Sequence, residues 1–208
     1  MKTLFYLFFT LCVLTGCSGN AKSEQEKLKA DSLRTVDSLA KAEAAKEAAE
    51  KARKDSITES ALKNDTLKEK HIVVDKPSFT LYLRENGETL MESKVCIGKG
   101  VGQKKGKGDH KTPEGTYKIR SIENAAGWTY DFHDGKGKRK GAYGPWFFRL
   151  DTPQSTHIGI HGSPFPETVG TRDSDGCIRM VNEDLEELKQ HVFVGMKVVI
   201  NPDLVPGK

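Results

Sequence analysis

Between Asn20 and Lys70 the chain has no aromatic residue, no glycine and no proline. A segment so composed lacks the large side chains that fill a core and the glycine and proline that most strongly punctuate turns. Alanine, lysine and glutamate dominate it, as in KAEAAKEAAEKARK (41–54). Glu47 and Lys51, like Glu50 and Lys54, stand four apart in the Glu-first order that supports a helix by a few tenths of a kcal/mol. Helix propensity is high, but the apolar stripe is thin: Leu28, Leu33, Val36 and Leu39, and nothing in the alanine-rich part. The reading is a solvated, helical or disordered spacer over 17–70. At about 1.5 Å per residue where helical, its fifty or so residues would reach about 75 Å. A coiled coil is the alternative, and the heptad signal is too poor to favour it.

The spacer is preceded by MKTLFYLFFTLCVLTGC. Lys2 followed by an apolar run from Thr3 to Val13, too short for a permanent span, is the layout of an export signal. The ending Leu14-Thr15-Gly16-Cys17 resembles the bacterial lipoprotein signal. That resemblance implies a signal peptide over 1–16 and cleavage before a lipidated Cys17. The protein would then be held at the periplasmic side of a cell-envelope membrane. Ser18, rather than an aspartate, after the lipid cysteine favours the outer membrane where one exists. An ordinary signal peptide is the alternative. Of the four cysteines, a mature chain would keep Cys96 and Cys177 as thiols. A disulfide between them is possible in an oxidising compartment. Cys96, however, lies in MESKVCIGKG, an alternating run in which a small buried hydrophobe suffices, so Cys96 is expected in the core and Cys177 free. A net charge of +4 argues against a nucleic-acid partner, which needs a concentrated basic face.

Globular sequence begins near His71, and the domain 71–208 is long enough for one core. Its pattern is mainly β. HIVVD (71–75), SFTLYLREN (78–86), ETLMESKVCIG (88–98), TYKIRSI (116–122), WFFRL (146–150), HIGIH (157–161) and MKVVI (196–200) read as strands. Asn86-Gly87 is a hairpin signal, and TPEG (112–115) a turn. One short helix is expected after Cys177, capped by Asn182, with Glu183 and Asp184 at its positive end and Leu185, Leu188 and Val192 on one face.

Two basic, glycine-rich stretches, 98–109 and 135–144, read as loops. The first fails the G-x-x-x-x-G-K-[ST] pattern of a phosphate loop. His157 and His161 are four apart, but on a strand that is about 13 Å, too far for one metal ion. No metal and no cofactor is expected. His161 and Cys177 remain, each beside a glycine. An imidazole can take the proton that a thiol must lose before it attacks, and backbone N–H groups at a tight turn can hold an oxyanion. Residue types alone leave coincidence open.

IHGS (160–163) followed by SDGCIRM (174–180) resembles the paired motif of the L,D-transpeptidase (YkuD-like) catalytic domain. VDKPSFTLYL (74–83), GDHKTPEGTYKI (108–119) and YGPWFF (143–148) resemble its supporting segments, so the likeness covers about residues 71–202. It implies a mainly-β, sandwich-like sheet with the pair at its edge. Cys177 would be the nucleophile and His161 the general base and acid. The Gly162 carbonyl would orient the imidazole, and the Gly176 and Cys177 N–H groups would face the oxyanion. Ser174, Arg179, Tyr143 and Trp146 would contact substrate, with Ser174 and Arg179 also shaping the cysteine loop. The implied reaction joins peptidoglycan stem tetrapeptides through a thioester, with release of D-Ala, and implies inhibition by carbapenem-type β-lactams. Hydrolysis, protein attachment to the wall, and non-catalytic wall binding are the alternatives. Many members carry His where this chain has Asp175, and a carboxylate there would raise the pKa of the thiol.

Overall fold

The computed structural model describes residues 20–63 and 65–204, with side chains from Arg34 onward except Ala61. The leader and Cys17 lie outside the described residues. The chain divides into two compact units, Met1–Lys51 and Ala52–Lys208. In the first, the described residues are helical and belong to α1 (Asn20–Lys63). From Arg34 to Lys51 every side chain is exposed, as the lack of a broad apolar stripe requires. The Lys41–Asp37 pair at 2.9 Å is solvated on both sides and adds little. Among the described residues no helix is long and apolar enough to cross a membrane.

The second unit starts earlier than the composition break at His71 suggests, because the last turns of α1 are docked. Thr58 is buried and donates to Asp75 Oδ2 at 2.8 Å. Arg84 donates to the Leu62 carbonyl at 3.1 Å. Asp65 then accepts from Arg84 Nε and His71 Nε2, each at 2.8 Å. A segment read as solvated throughout therefore ends in a buried polar joint.

The strands follow as β1 (His71–Asp75), β2 (Thr80–Glu85), β3 (Glu88–Lys94), β4 (Ile97–Gly98), β5 (Gly115–Asn124), β6 (Thr129–Asp131), β7 (Lys138–Lys140), β8 (Trp146–Leu150), β9 (Gly159–Gly162), β10 (Arg172–Ser174), β11 (Ile178–Met180), the helix α2 (Asn182–Lys189) and β12 (Lys197–Asn201). Eight strands form one sheet in the order β11-β9-β8-β5-β12-β1-β2-β3; β10 pairs with β4, and β6 with β7. β1–β12 and β9–β11 are parallel, and the other pairs of the large sheet are antiparallel. β1 is buried along its whole length, which is why HIVVD does not alternate. Asn86 and Gly87 both have positive φ (53° and 83°), the type I′ turn that needs such residues at both central positions.

Three expectations need correction. The run 88–98 is not one return strand. β3 ends at Lys94, and Cys96 makes a lone bridge to Arg179, its N–H and carbonyl paired with Arg179 at 2.7 and 2.8 Å. The basic stretch 135–144 is not only loop, since Lys138–Lys140 is the return strand of a hairpin. Asn182 does not cap α2: Val181 stands at the cap with no side-chain bond, while the Asn182 amide oxygen accepts from the Ser163 N–H at 3.1 Å. Leu185, Leu188 and Val192 do bury against the sheet core with Phe148, Ile160 and Met180. Cys96 is fully buried, and neither it nor Cys177 is in a disulfide.

Candidate active site

Register brings the site together. β9 and β11 pair with His161 opposite Arg179, and β8 and β9 with His161 opposite Phe147. Residues opposite one another share a face, and alternation adds Cys177, two before Arg179, and Arg149, two after Phe147. The Phe147 and His161 rings stack at 5.4 Å and 14°, and Tyr143 packs on the imidazole at 4.9 Å. Arg149 covers the Phe147 ring at 4.8 Å and is held by Glu123 through bonds of 2.7 and 2.9 Å.

The imidazole is therefore walled in, with His161 only 3 % exposed. Its Nδ1 lies 2.6 Å from the Gly162 carbonyl oxygen. A carbonyl can only accept, so Nδ1 carries the proton and Nε2 is the basic nitrogen. Burial, with Arg179 adding to it and the Gly162 carbonyl opposing, pushes the His161 pKa down to about 3. Burial likewise pushes the Cys177 thiol up. The Gly159 backbone, Arg179 and Arg149 oppose, and Asp175 adds the last and smallest contribution. The resting pair is a neutral thiol and a neutral imidazole. Both line one cavity of about 410 Å³, together with Tyr130, Tyr143, His110, Lys107 and Arg179. In this state the thiol donates to the His157 carbonyl at 3.3 Å. His157 itself lies before β9 and is exposed.

The cysteine loop is built by side chains, and this corrects Gly176 as an oxyanion donor. The Gly176 N–H is engaged by Ser174 Oγ at 3.1 Å, and the same hydroxyl donates to the Cys177 carbonyl at 2.5 Å. Ser174 is fully buried, so it shapes the loop rather than meeting a substrate. Gly176 has φ +125°, and a Cβ there would stand 2.7 Å from the Lys111 carbonyl; only glycine fits. Thr112 closes the loop from behind. Its hydroxyl accepts from the Gly98 N–H at 2.8 Å and donates to the Gly176 carbonyl at 3.0 Å. Thr112→Val keeps the shape and strands both partners, so it is expected to cost about 1–3 kcal/mol; urea unfolding at neutral pH measures it.

Tyr143 and Arg179 line the cavity; Trp146 does not. Adjacent to Phe147 on β8, Trp146 points to the other face, where its indole N–H donates to Glu186 at 2.9 Å and Lys189 covers its ring at 4.9 Å. Arg179 reaches Asp173 at 3.5 Å. Sequence reasoning missed Phe147, Thr112 and Asn182. The first two stand inside the quoted supporting segments, WFF and KTPEG, and alternation relative to Trp146 would have found Phe147. A Cβ on Gly159 would meet the Phe147 ring at 2.3 Å. Gly159→Ala is therefore expected to displace the ring that backs His161, at about 1–3 kcal/mol, with slower reaction of Cys177 toward an acyl donor. Thermal unfolding and Cys177 acylation rates read the two effects.

The fold and site define a mainly-β domain carrying a cysteine–histidine pair beside an edge strand. The model of the L,D-transpeptidase catalytic domain, YkuD, matches residues 69–200, and the chain belongs to that family. It is 30% identical over 131 residues to YkuD of Bacillus subtilis, named as an L,D-transpeptidase, across 63% of this chain and 65% of that protein. It is 31% identical over 99 residues to YqjB of the same organism, named likewise, across 47% of this chain and 56% of that protein. The matches thus cover less than two thirds of these relatives' own length. Among solved structures, the catalytic domain of the Enterococcus faecium L,D-transpeptidase is 21% identical with a TM-score of 0.48, covering 64% of this chain and 98% of that one. An L,D-transpeptidase from Mycobacterium smegmatis is 20% identical, also at 0.48, covering 64% and 58%.

Proposed function

We propose that the chain is a cysteine-dependent L,D-transpeptidase acting on peptidoglycan stem tetrapeptides. The observation that carries this reading is the fixed tautomer of His161. With Nδ1–H tied to the Gly162 carbonyl, Nε2 is the basic nitrogen in a cavity that also holds Cys177. In the proposed reaction Cys177 Sγ attacks the carbonyl of the third stem residue and its proton passes to Nε2. The bond to the terminal D-Ala breaks, the leaving amine takes that proton, and a thioester remains. An amine of a neighbouring stem then attacks the thioester, loses a proton to Nε2 and restores the thiol, leaving a third-to-third-residue cross-link. With the Gly176 N–H committed to Ser174, the Cys177 N–H is the candidate oxyanion donor. The same nucleophile would open carbapenem-type β-lactams as a stable acyl-enzyme. Lipid on Cys17 and the spacer after it would hold the domain at the periplasmic side of the outer membrane, within reach of the wall.

Mass spectrometry tests the chemistry. Protein incubated with disaccharide-tetrapeptide is expected to gain the substrate mass less D-Ala, and then to release a cross-linked dimer. Release of a free tripeptide alone would reassign the acceptor to water. Absence of any adduct on folded wild type would remove the enzyme reading altogether. Cys177→Ala is expected to abolish the adduct with the fold intact. For the anchor, Cys17→Ala is expected to move the protein from the membrane pellet to the soluble fraction.

A further inference from the structure

Asp175, two residues before Cys177, joins three separate segments through one carboxylate. Its Oδ1 accepts from His110 Nδ1 at 2.8 Å and lies 3.9 Å from Lys99 Nζ; its Oδ2 accepts from the Tyr130 hydroxyl at 3.1 Å. Burial alone would raise its pKa, but Tyr130, His110 and Lys99 outweigh burial and hold the carboxyl below its ordinary range. It is charged at neutral pH.

Its two hydrogen-bonding partners are held differently. His110 comes from a loop fastened by Asp109, which accepts from the Lys104 amine and from the backbone N–H groups of Lys105, Gly106 and Lys111. His110 is itself held in the left-handed region at φ +52°, a conformation that persists only where the surroundings over-determine it. Tyr130 stands on the β6–β7 hairpin, which pairs with no strand of the large sheet. Such a two-stranded hairpin is marginal alone and depends on side-chain anchors. One is Phe132 against Phe165 at 5.0 Å, with Arg139 over both rings. Tyr130 supplies the rest, its ring against Tyr143 at 6.0 Å and its hydroxyl on Asp175, and the bond to Asp175 is the one that reaches the cysteine loop. That bond also stands where two cavities meet: the one holding Cys177, and a second of about 480 Å³, share Tyr130, Asp175, His110 and Arg179 in their walls.

We propose that Asp175 is a positioning residue, the latch that fastens the β6–β7 hairpin to the cysteine loop and so sets how large a molecule reaches Cys177. The hairpin leans on the fixed His110–Asp175 pair, and Tyr130 is the part that lets go. The latch concerns access to the thiol, so it can fail while the acyl-transfer reading stands, and the reverse.

The test is alkylation of Cys177 in the full chain by iodoacetamide and by its bulky fluorescein derivative, read on the Cys177 peptide by mass spectrometry. Cys96 is buried and serves as an internal control for unfolding. Asp175→Ala is expected to raise the bulky-to-small rate ratio by about tenfold, the change that loss of one hydrogen bond to a charged group produces. It should also speed hydrogen exchange over residues 129–140. Tyr130→Phe leaves the charge next to the thiol and is expected to raise the ratio to the same degree. The double variant should add nothing further. Asp175→Asn, which keeps an acceptor for Tyr130, should recover most of the discrimination. Equal acceleration of both reagents in Asp175→Ala, with unchanged exchange in the hairpin, would assign Asp175 an effect on thiol ionisation alone and overturn the latch. If Asp175→Ala labels at Cys96, and so has unfolded, Tyr130→Phe decides: an unchanged ratio there overturns it equally.

Discussion

Replacing His161 by glutamine is expected to slow acylation of Cys177 by about 10²–10⁴-fold, the range that a positioned general base supplies. The reason lies in the charge state of the resting pair. Where a thiolate–imidazolium pair forms in advance, losing the imidazole removes a counter-ion. Here burial holds the imidazole neutral down to about pH 3 and pushes the thiol up from 9.0, so attack needs the proton to move as the bond forms. Glutamine can accept no proton. The wild type should therefore react at a nearly constant rate from about pH 5 to pH 8. The variant should climb with pH throughout and regain rate only beyond the ordinary thiol range. Single-turnover acylation followed by intact mass across pH 5–10 checks both limbs. A wild-type rate that titrates near 6.5 would mean that the imidazole takes up a proton at its ordinary value, contrary to this charge assignment.

Acid is expected to weaken the fold through the same residue. An unfolded chain exposes an imidazole of pKa about 6.5, whereas in the folded protein the value is about 3. Below pH 6.5 the unfolded chain binds a proton that the folded one refuses. The stability owed to the neutral buried ring is thus fully present above pH 6.5 and is lost as pH falls towards 3. The loss runs at about 1.4 kcal/mol per unit, about 5 kcal/mol in all. Between pH 4.5 and 6.5 ordinary carboxylates are mostly ionised, which leaves histidine to dominate the slope. Urea titrations of wild type and His161→Gln at pH 7 and pH 4.5 should differ in their pH dependence by about 3 kcal/mol. Parallel stability–pH curves for the two proteins would show that the buried imidazole does not resist protonation.

What the sequence disclosed and what it hid divide along the range of the interactions. HIVVD, the Asn86-Gly87 turn and WFFRL were legible because each is decided by its own residues and their immediate pattern. The pairing of Cys177 with His161 was legible from the resemblance, since two short motifs carry it. The engagement of the Gly176 N–H is hidden because its partner, the Ser174 hydroxyl, is a local competitor that a backbone pattern does not reveal. Asn182 looked like a helix cap because asparagine usually is one, yet its amide is drawn across the chain to Ser163. Trp146 lies in a segment that the resemblance gives to the substrate, and strand alternation turns it the other way. The docking of Thr58, Asp65 and Leu62 was hidden most deeply. Their partners, Asp75, His71 and Arg84, lie in another segment, and nothing in an alanine-, lysine- and glutamate-rich composition announces a joint.

That joint has a mechanical consequence. A pull arriving along the chain before Ala52 is met by Thr58 on Asp75, by Asp65 on His71 and Arg84, and by the Leu62 carbonyl on Arg84. These are residues of β1 and β2, which hold the sixth and seventh places in a sheet whose first strand is β11, beside Cys177. Force is taken up by interior and near-edge strands at one side of the sheet, and the reacting groups stand at the other. A domain loaded through the end of α1 would keep the geometry of Cys177 and His161 out of the load path.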